Sequence, residues 1–170
     1  AFLISKELSN KIKTRSYGYA LNAESAYEFL NSSDTDTVVL EHAPHTMDEI
    51  TDGLKNNFEA PLGVIGVQEF LPMMLNEVNN GKLTLERLVY LTTESPAKIF
   101  GQYPKKGAIQ VGSDADFTVI DINKEHVLSD NDSLSKSGWT TFDGVKVKGM
   151  PTHTIVRGKI VCVGIPFTLT

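Results

Sequence analysis

The chain has 170 residues, 41% of them hydrophobic and 22% charged, with a formal net charge of -5 at pH 7. This is the composition of an ordinary globular protein of one medium or two small domains; it excludes a disordered or fibrous chain, and an acidic balance without a long basic run argues against nucleic acid or a membrane surface as partner. A single cysteine, Cys162, excludes an intrachain disulfide, and no apolar run approaches the roughly 18 residues of a membrane span, so a reducing, cytoplasmic setting is the expectation.

The chain opens on Ala1-Phe2-Leu3-Ile4-Ser5, without methionine and inside an apolar run, as the cleaved end of a longer polypeptide would. Residues 1–5 read as the tail of a strand or buried segment, and Lys6 to Arg15 as a polar, basic connector or short helix. Asn22 to Leu30 has the pattern of a helix, with Asn22 placed to cap it and Ala23, Ala26, Tyr27 and Leu30 on one apolar face. Val38-Val39-Leu40 follows, three β-favouring residues that read as a short buried strand, so that strand, helix and strand suggest a βαβ unit and a parallel sheet.

That strand runs into Glu41-His42-Ala43-Pro44-His45-Thr46, where Pro44 ends any ladder because it lacks an N–H. Functional groups then stand at the C-terminal end of a strand, the edge where α/β folds collect ligands and catalytic groups. Carboxylate oxygen and imidazole nitrogen suit zinc, and a carboxylate also serves as a general base. A loop carboxylate beside hydrogen-bonded structural histidines is an equally economical reading of the same residues.

Met47 to Glu59 reads as a polar loop with some helix. Ala60-Pro61-Leu62-Gly63-Val64-Ile65-Gly66 is either a buried turn or a backbone brought close to a ligand, which glycine permits. Val67 to Val78 is the next helix, with Phe70, Leu71, Met74, Leu75 and Val78 on one side and Pro72 within it. Thr84 caps Leu85 to Thr92, and Ser95 is placed to cap a further short helix with Pro96 in its first turn, ending near Gly101. Beyond Gly107 the pattern turns to strands. Phe117 to Ile122 is one, Leu128 to Val147 is loop-rich, and Thr154 to Val163 is a hairpin turning at Arg157-Gly158. A boundary near residue 103 divides the chain into 1–103 and 104–170.

Glu41-His42-Ala43-Pro44-His45-Thr46 resembles, with one substitution, the Asp-His-Ala-Pro-His-Thr signature of dihydroorotases among the metal-dependent cyclic amidohydrolases. The likeness continues through Ala60-Pro61-Leu62-Gly63 to Glu69 and Leu71-Pro72, through Leu83 to Leu88 and Ser95 to Gly101, and into Gly107-Ala108-Ile109, Gly112 to Asp116 and Thr154 to Lys159. The later elements are shared with hydantoinases and allantoinases, whereas His-Ala-Pro-His-Thr is sharper and points to dihydroorotase.

The resemblance implies an α/β architecture: 1–103 as the last strands and helices of a (β/α)8 TIM barrel, and 104–170 as part of a small, mostly β composite domain. It implies hydrolysis of the ring amide of dihydroorotate, or the reverse cyclisation of carbamoyl aspartate. Glu41 takes the place of the proton-shuttling aspartate and is a candidate metal ligand, while His45, Leu62 and Gly63 stand where substrate is held; His42 matches the signature without an assigned role. Zinc, as one or two divalent ions, is the implied cofactor, its other ligands lying upstream.

Three features depart from the family pattern. Glu41 is one methylene longer than aspartate. Tyr17 to Asn22 replaces Asn-Pro-Pro-Leu-Arg and keeps only Leu21. The upstream histidines and lysine of the metal site have no counterpart here. A barrel takes about 250 residues, so the expected partner is the N-terminal part of the same enzyme as a second polypeptide. A homo-oligomer or an aspartate transcarbamoylase are further expected partners, the latter especially if the protein is a non-catalytic homologue.

Overall fold

The computed structural model describes residues 23–40, 42–55, 61, 63, 65–164 and 168–169. Among the described residues five α-helices come first: α1 (Ala23–Asn31), α2 (Met47–Lys55), α3 (Phe70–Asn79), α4 (Leu85–Val89) and α5 (Ser95–Ile99), the last two joined by a π turn over Tyr90–Glu94. Four strands follow, β1 (Phe117–Val127), β2 (Lys146–Val156), β3 (Lys159–Val163) and β4 (Thr168–Leu169), with a 3₁₀ turn at Asp130–Asp132 between β1 and β2. They form an antiparallel sheet in the order β1-β2-β3-β4.

Helix α1 forms where the spacing predicts it and buries Ala26 and Leu30. Asn22, the expected cap, lies outside the described residues, as do the strand expected at 1–5 and the connector to Arg15. The side chain of Arg87 on α4 fastens the exit of α1, donating to the carbonyls of Leu30, Ser32 and Thr35 at 2.7, 2.5 and 2.8 Å. One guanidinium thereby satisfies three acceptors that the helix end and its loop cannot satisfy themselves.

The segment after it differs from expectation. Val38 to Leu40 has no regular secondary structure: the Val38 N–H donates to the Leu91 carbonyl at 3.3 Å, but among the described residues the segment enters no ladder, and an isolated bridge stands at His42. A strand is a relation between neighbours, and β propensity alone does not provide them. The predicted parallel sheet is likewise absent among the described residues.

Met47 to Lys55 is a helix where a loop was the main expectation. Its cause is local: the Thr46 hydroxyl accepts from the Glu49 N–H at 3.3 Å, and the Glu49 carboxylate accepts from the Thr46 N–H at 2.7 Å. This reciprocal capping box satisfies two end donors at once.

Helix α3 is the central pillar. It starts at Phe70, so Pro72 falls in the first turn, where no intrahelical N–H is required. Met74 and Leu75 pack with Leu30, Leu83, Leu88 and Leu91, while Met73 packs with Leu128, Phe142, Val147 and Met150. Two sides of the helix are covered because helices lie on one and the sheet on the other; fully burying residues such as Phe142 and Met150 stabilises by about 1.5–3 kcal/mol each. Asn79 at its end welds it to the sheet, donating to the carbonyls of Ile122 on β1 and Lys148 on β2 at 2.9 and 2.8 Å.

Thr84 caps α4 as predicted, accepting from the Arg87 N–H. Ser95 does not cap: it is buried inside a continuous helical run that passes through the π turn. The ladder widens just ahead of Pro96, which cannot donate to the turn before it: the Ser95 N–H donates to the Tyr90 carbonyl, five residues back. In the sheet, β1 runs past its predicted end at Ile122, bulging between Asp121 and Glu125, where the Asp121 carboxylate accepts from the Asn123 and Lys124 N–H groups at 2.9 and 3.2 Å. The β2–β3 hairpin turns at Arg157 and Gly158, both at positive φ, +51° and +77°, as a two-residue hairpin loop demands.

Candidate functional site

Of the four residues to which sequence assigns roles, His45 and Gly63 are described, and Glu41 and Leu62 lie outside the described residues. The two stretches that carry them meet. Gly63 has φ +113°, and a Cβ on it would stand 2.3 Å from the Cβ of Ala43, so the backbone at Gly63 is pressed against Ala43 in the loop of residues 42–46. A glycine is required there twice over, by the dihedral and by the space.

His42, matched in sequence but given no task, links the same two stretches. Its Nδ1 faces the backbone N–H groups of Gly66 and Val67 at 3.3 and 3.4 Å. An atom that accepts from two amides carries no proton in the neutral ring, so the proton of neutral His42 sits on Nε2.

His45 is half-buried between Pro44 and the capping box. Its Nδ1 lies 3.6 Å from Glu49 Oε2. The Glu49 carboxyl is held below the usual carboxylate range chiefly by the Thr46 N–H, then by the Thr46 hydroxyl, with a smaller contribution from His45. Glu49 is therefore an anion at the start of α2, where the helix dipole favours one.

Residues far along the chain complete the surroundings, and sequence reasoning missed them. Trp139 Nε1 donates to the His45 carbonyl at 2.8 Å, Thr141 Oγ1 to the Ile65 carbonyl at 3.3 Å, and Gln68 is bonded through both ends of its amide, to the Asp132 carbonyl at 2.6 Å and the Leu134 N–H at 2.9 Å. The loop-rich segment between β1 and β2 is thus a strap across both candidate loops. Only the aromatic and amide character of Trp139 and Gln68 marked them in sequence, with nothing to say what they touch.

A cleft of about 460 Å³ opens beside His42, between the 65–71 segment, the strap and the sheet, with Gln68, Glu69, Ser133, Ser135 and Cys162 among its lining residues. Glu69 is 3% exposed, and its Oε2 has no hydrogen-bond partner among the described residues. Among the described residues no three His, Cys, Asp or Glu side chains come together as a metal-binding group, so these residues do not by themselves make a zinc site.

Residues 32–161 match the family described as the amidohydrolase family. An L-hydantoinase of Paenarthrobacter aurescens is 41% identical over 136 residues, which are 79% of this chain and 30% of that protein. A dihydroorotase of Methanosphaera stadtmanae is 38% identical over 131 residues, 77% of this chain and 30% of that protein. Among solved structures, an L-hydantoinase from Arthrobacter aurescens superposes with a TM-score of 0.81 at 36% identity, over 93% of this chain and 36% of that one. The chain thus spans about a third of the length of the relatives it matches.

Proposed function

The chain belongs to the amidohydrolase family, and we propose that it is the C-terminal part of a (β/α)8 enzyme that opens or closes a cyclic amide, dihydroorotate being the substrate that Glu41-His42-Ala43-Pro44-His45-Thr46 favours. The observation that carries the reading is the junction of the two stretches: the loop bearing His45 and the turn bearing Gly63 are held against each other through His42 and the Ala43 contact. In this reading His45 and the backbone of Leu62 and Gly63 hold the substrate. Water adds to the ring carbonyl carbon, the C–N bond breaks, and Glu41 carries the proton from water to the departing ring nitrogen. Zinc, as one or two ions, belongs to the proposal as cofactor, with Glu41 as a candidate ligand and the others from upstream residues; no step above is assigned to it.

A hydantoin-type ring is the second substrate class, favoured by the hydantoinases among the relatives, one of them at 41% identity. Partnership with the N-terminal part of the enzyme follows from the same reading.

The test is to join this chain to its upstream part and assay ring opening of dihydroorotate and hydantoin side by side. Glu41→Asp is expected to raise carbamoyl-aspartate cyclisation by restoring the shorter side chain. Failure to do so with metal bound normally overturns the assignment of Glu41. Inactivity on both rings with a full metal complement points instead to a non-catalytic homologue that serves as a structural partner, for which a transcarbamoylase is the candidate to test.

A further inference from the structure

We infer that Trp139 is a positioning residue for the candidate active site, anchoring through the His45 carbonyl the main chain from which the His45 side chain projects; the inference rests on the functional reading above for its catalytic consequence, and on geometry alone for the positioning itself.

The peptide unit between His45 and Thr46 is held at both of its polar atoms. Its carbonyl oxygen accepts from Trp139 Nε1 at 2.8 Å, and its N–H donates to Glu49 Oε2 at 2.7 Å. A peptide group is a rigid plane, so fixing its oxygen and its nitrogen fixes the plane and the place of the His45 Cα within it, leaving rotation about the Cα–C bond as the one backbone freedom between that plane and the side chain. Pro44, on the other side of His45, has its own φ locked by its ring. The main chain that carries His45 is therefore held in place, and one of its two anchors comes from a residue 94 positions away in sequence.

The donor is itself braced. The Asp130 carboxylate accepts from the Thr140 N–H at 2.7 Å, the Asp143 carboxylate accepts from the Asp130 N–H at 3.0 Å, and Ser133 Oγ donates to the Trp139 carbonyl at 3.3 Å. Phe142, three residues on, is completely buried in the core beneath the strap. Asp132 is tied to the His126 ring at 2.8 Å. A strap held at so many points transmits a fixed indole position, which a loose surface tryptophan could not.

The experiment uses the chain joined to its upstream part. Trp139→Phe keeps an aromatic ring and removes the N–H; site-specific replacement of Trp139 by benzothienylalanine keeps the bicyclic shape and puts sulfur in place of the N–H. Two readouts are taken. The first is steady-state kinetics on the cyclic amide. The second needs no substrate: acylation of each histidine by diethyl pyrocarbonate, followed peptide by peptide by mass spectrometry.

Both variants are expected to raise KM about tenfold, the worth of about one hydrogen bond, with kcat within twofold of the parent. His45 acylation is expected to change severalfold while His126 and His153 react at parental rates. An unchanged His45 rate overturns the inference whatever the kinetics do. So does a joint rise at His45 and His126, because that is the signature of a strap that has come loose as a whole. If the parent enzyme opens no cyclic amide, the functional reading fails, and the His45 rate still decides whether Trp139 positions it.

Discussion

Gly63→Ala is the sharpest perturbation available at the junction of the two candidate loops. At φ +113° the new side chain lies well outside the left-handed well near +57°, a strain of about 1–3 kcal/mol. Its Cβ would also begin 2.3 Å from the Cβ of Ala43, where carbon atoms in contact sit at about 3.5–4.0 Å, so the loops must part by about an ångström. Overpacking of this kind costs about 1–3 kcal/mol. The strain and the clash are separable. Beyond the Ala43 Cβ, the nearest atoms are the Ala43 Cα and carbonyl oxygen at 3.6 and 3.8 Å, which are ordinary contacts. Ala43→Gly should therefore remove the clash and leave the dihedral strain. Measured by denaturation midpoint, the penalty of Gly63→Ala should shrink by about 1–2 kcal/mol in the Ala43→Gly background. Equal penalties in the two backgrounds, within about 0.5 kcal/mol, would refute the claimed contact.

Other consequences are more local. Asn79→Ala leaves the Ile122 and Lys148 carbonyls without the amide that joins α3 to the sheet, and should destabilise by about 1–3 kcal/mol, read as a lower denaturation midpoint. Arg87→Lys keeps the charge but lacks the planar fork that reaches three carbonyls; a loss comparable to Arg87→Ala, rather than rescue, is expected in thermal unfolding. Asp116 is held below its usual 3.8 chiefly by Lys106, and Lys106 is held above its usual 10.5 chiefly by Asp116. The stabilising effect of the lowered carboxylate is present above pH 3.8 and fades as pH falls through its folded value; that of the raised amine is present below pH 10.5 and fades as pH rises through its own. The Tm difference between the parent and Asp116→Asn should accordingly be flat from about pH 5 to 9 and narrow at both ends, and a difference that grows toward acid would sink the assignment.

Much of the local structure was legible in the residues. The four-residue spacing of Ala26 and Leu30, the Thr84 cap and the Arg157-Gly158 turn each depend on interactions within a few positions, and each formed as read. The Thr46 to Glu49 capping box was equally local, and overlooking it turned a helix into an expected loop. Ser95 misled because a good capping residue caps only where a helix begins, and here the helical run was already under way.

By itself, the sequence determined local features such as the Thr84 cap and the Arg157-Gly158 turn, and that His45 and Gly63 lie on stretches with a family likeness. Only the tertiary structure decided that Val38 to Leu40 stays outside a ladder among the described residues, that His42 Nδ1 meets amides 24 and 25 positions later, and that Trp139 reaches His45. The physical reason is range. A cap or a turn is settled by neighbours along the chain, whereas a hydrogen bond across such separations exists only after the packing of Phe142, Met150 and α3 has brought the strap down over the loops.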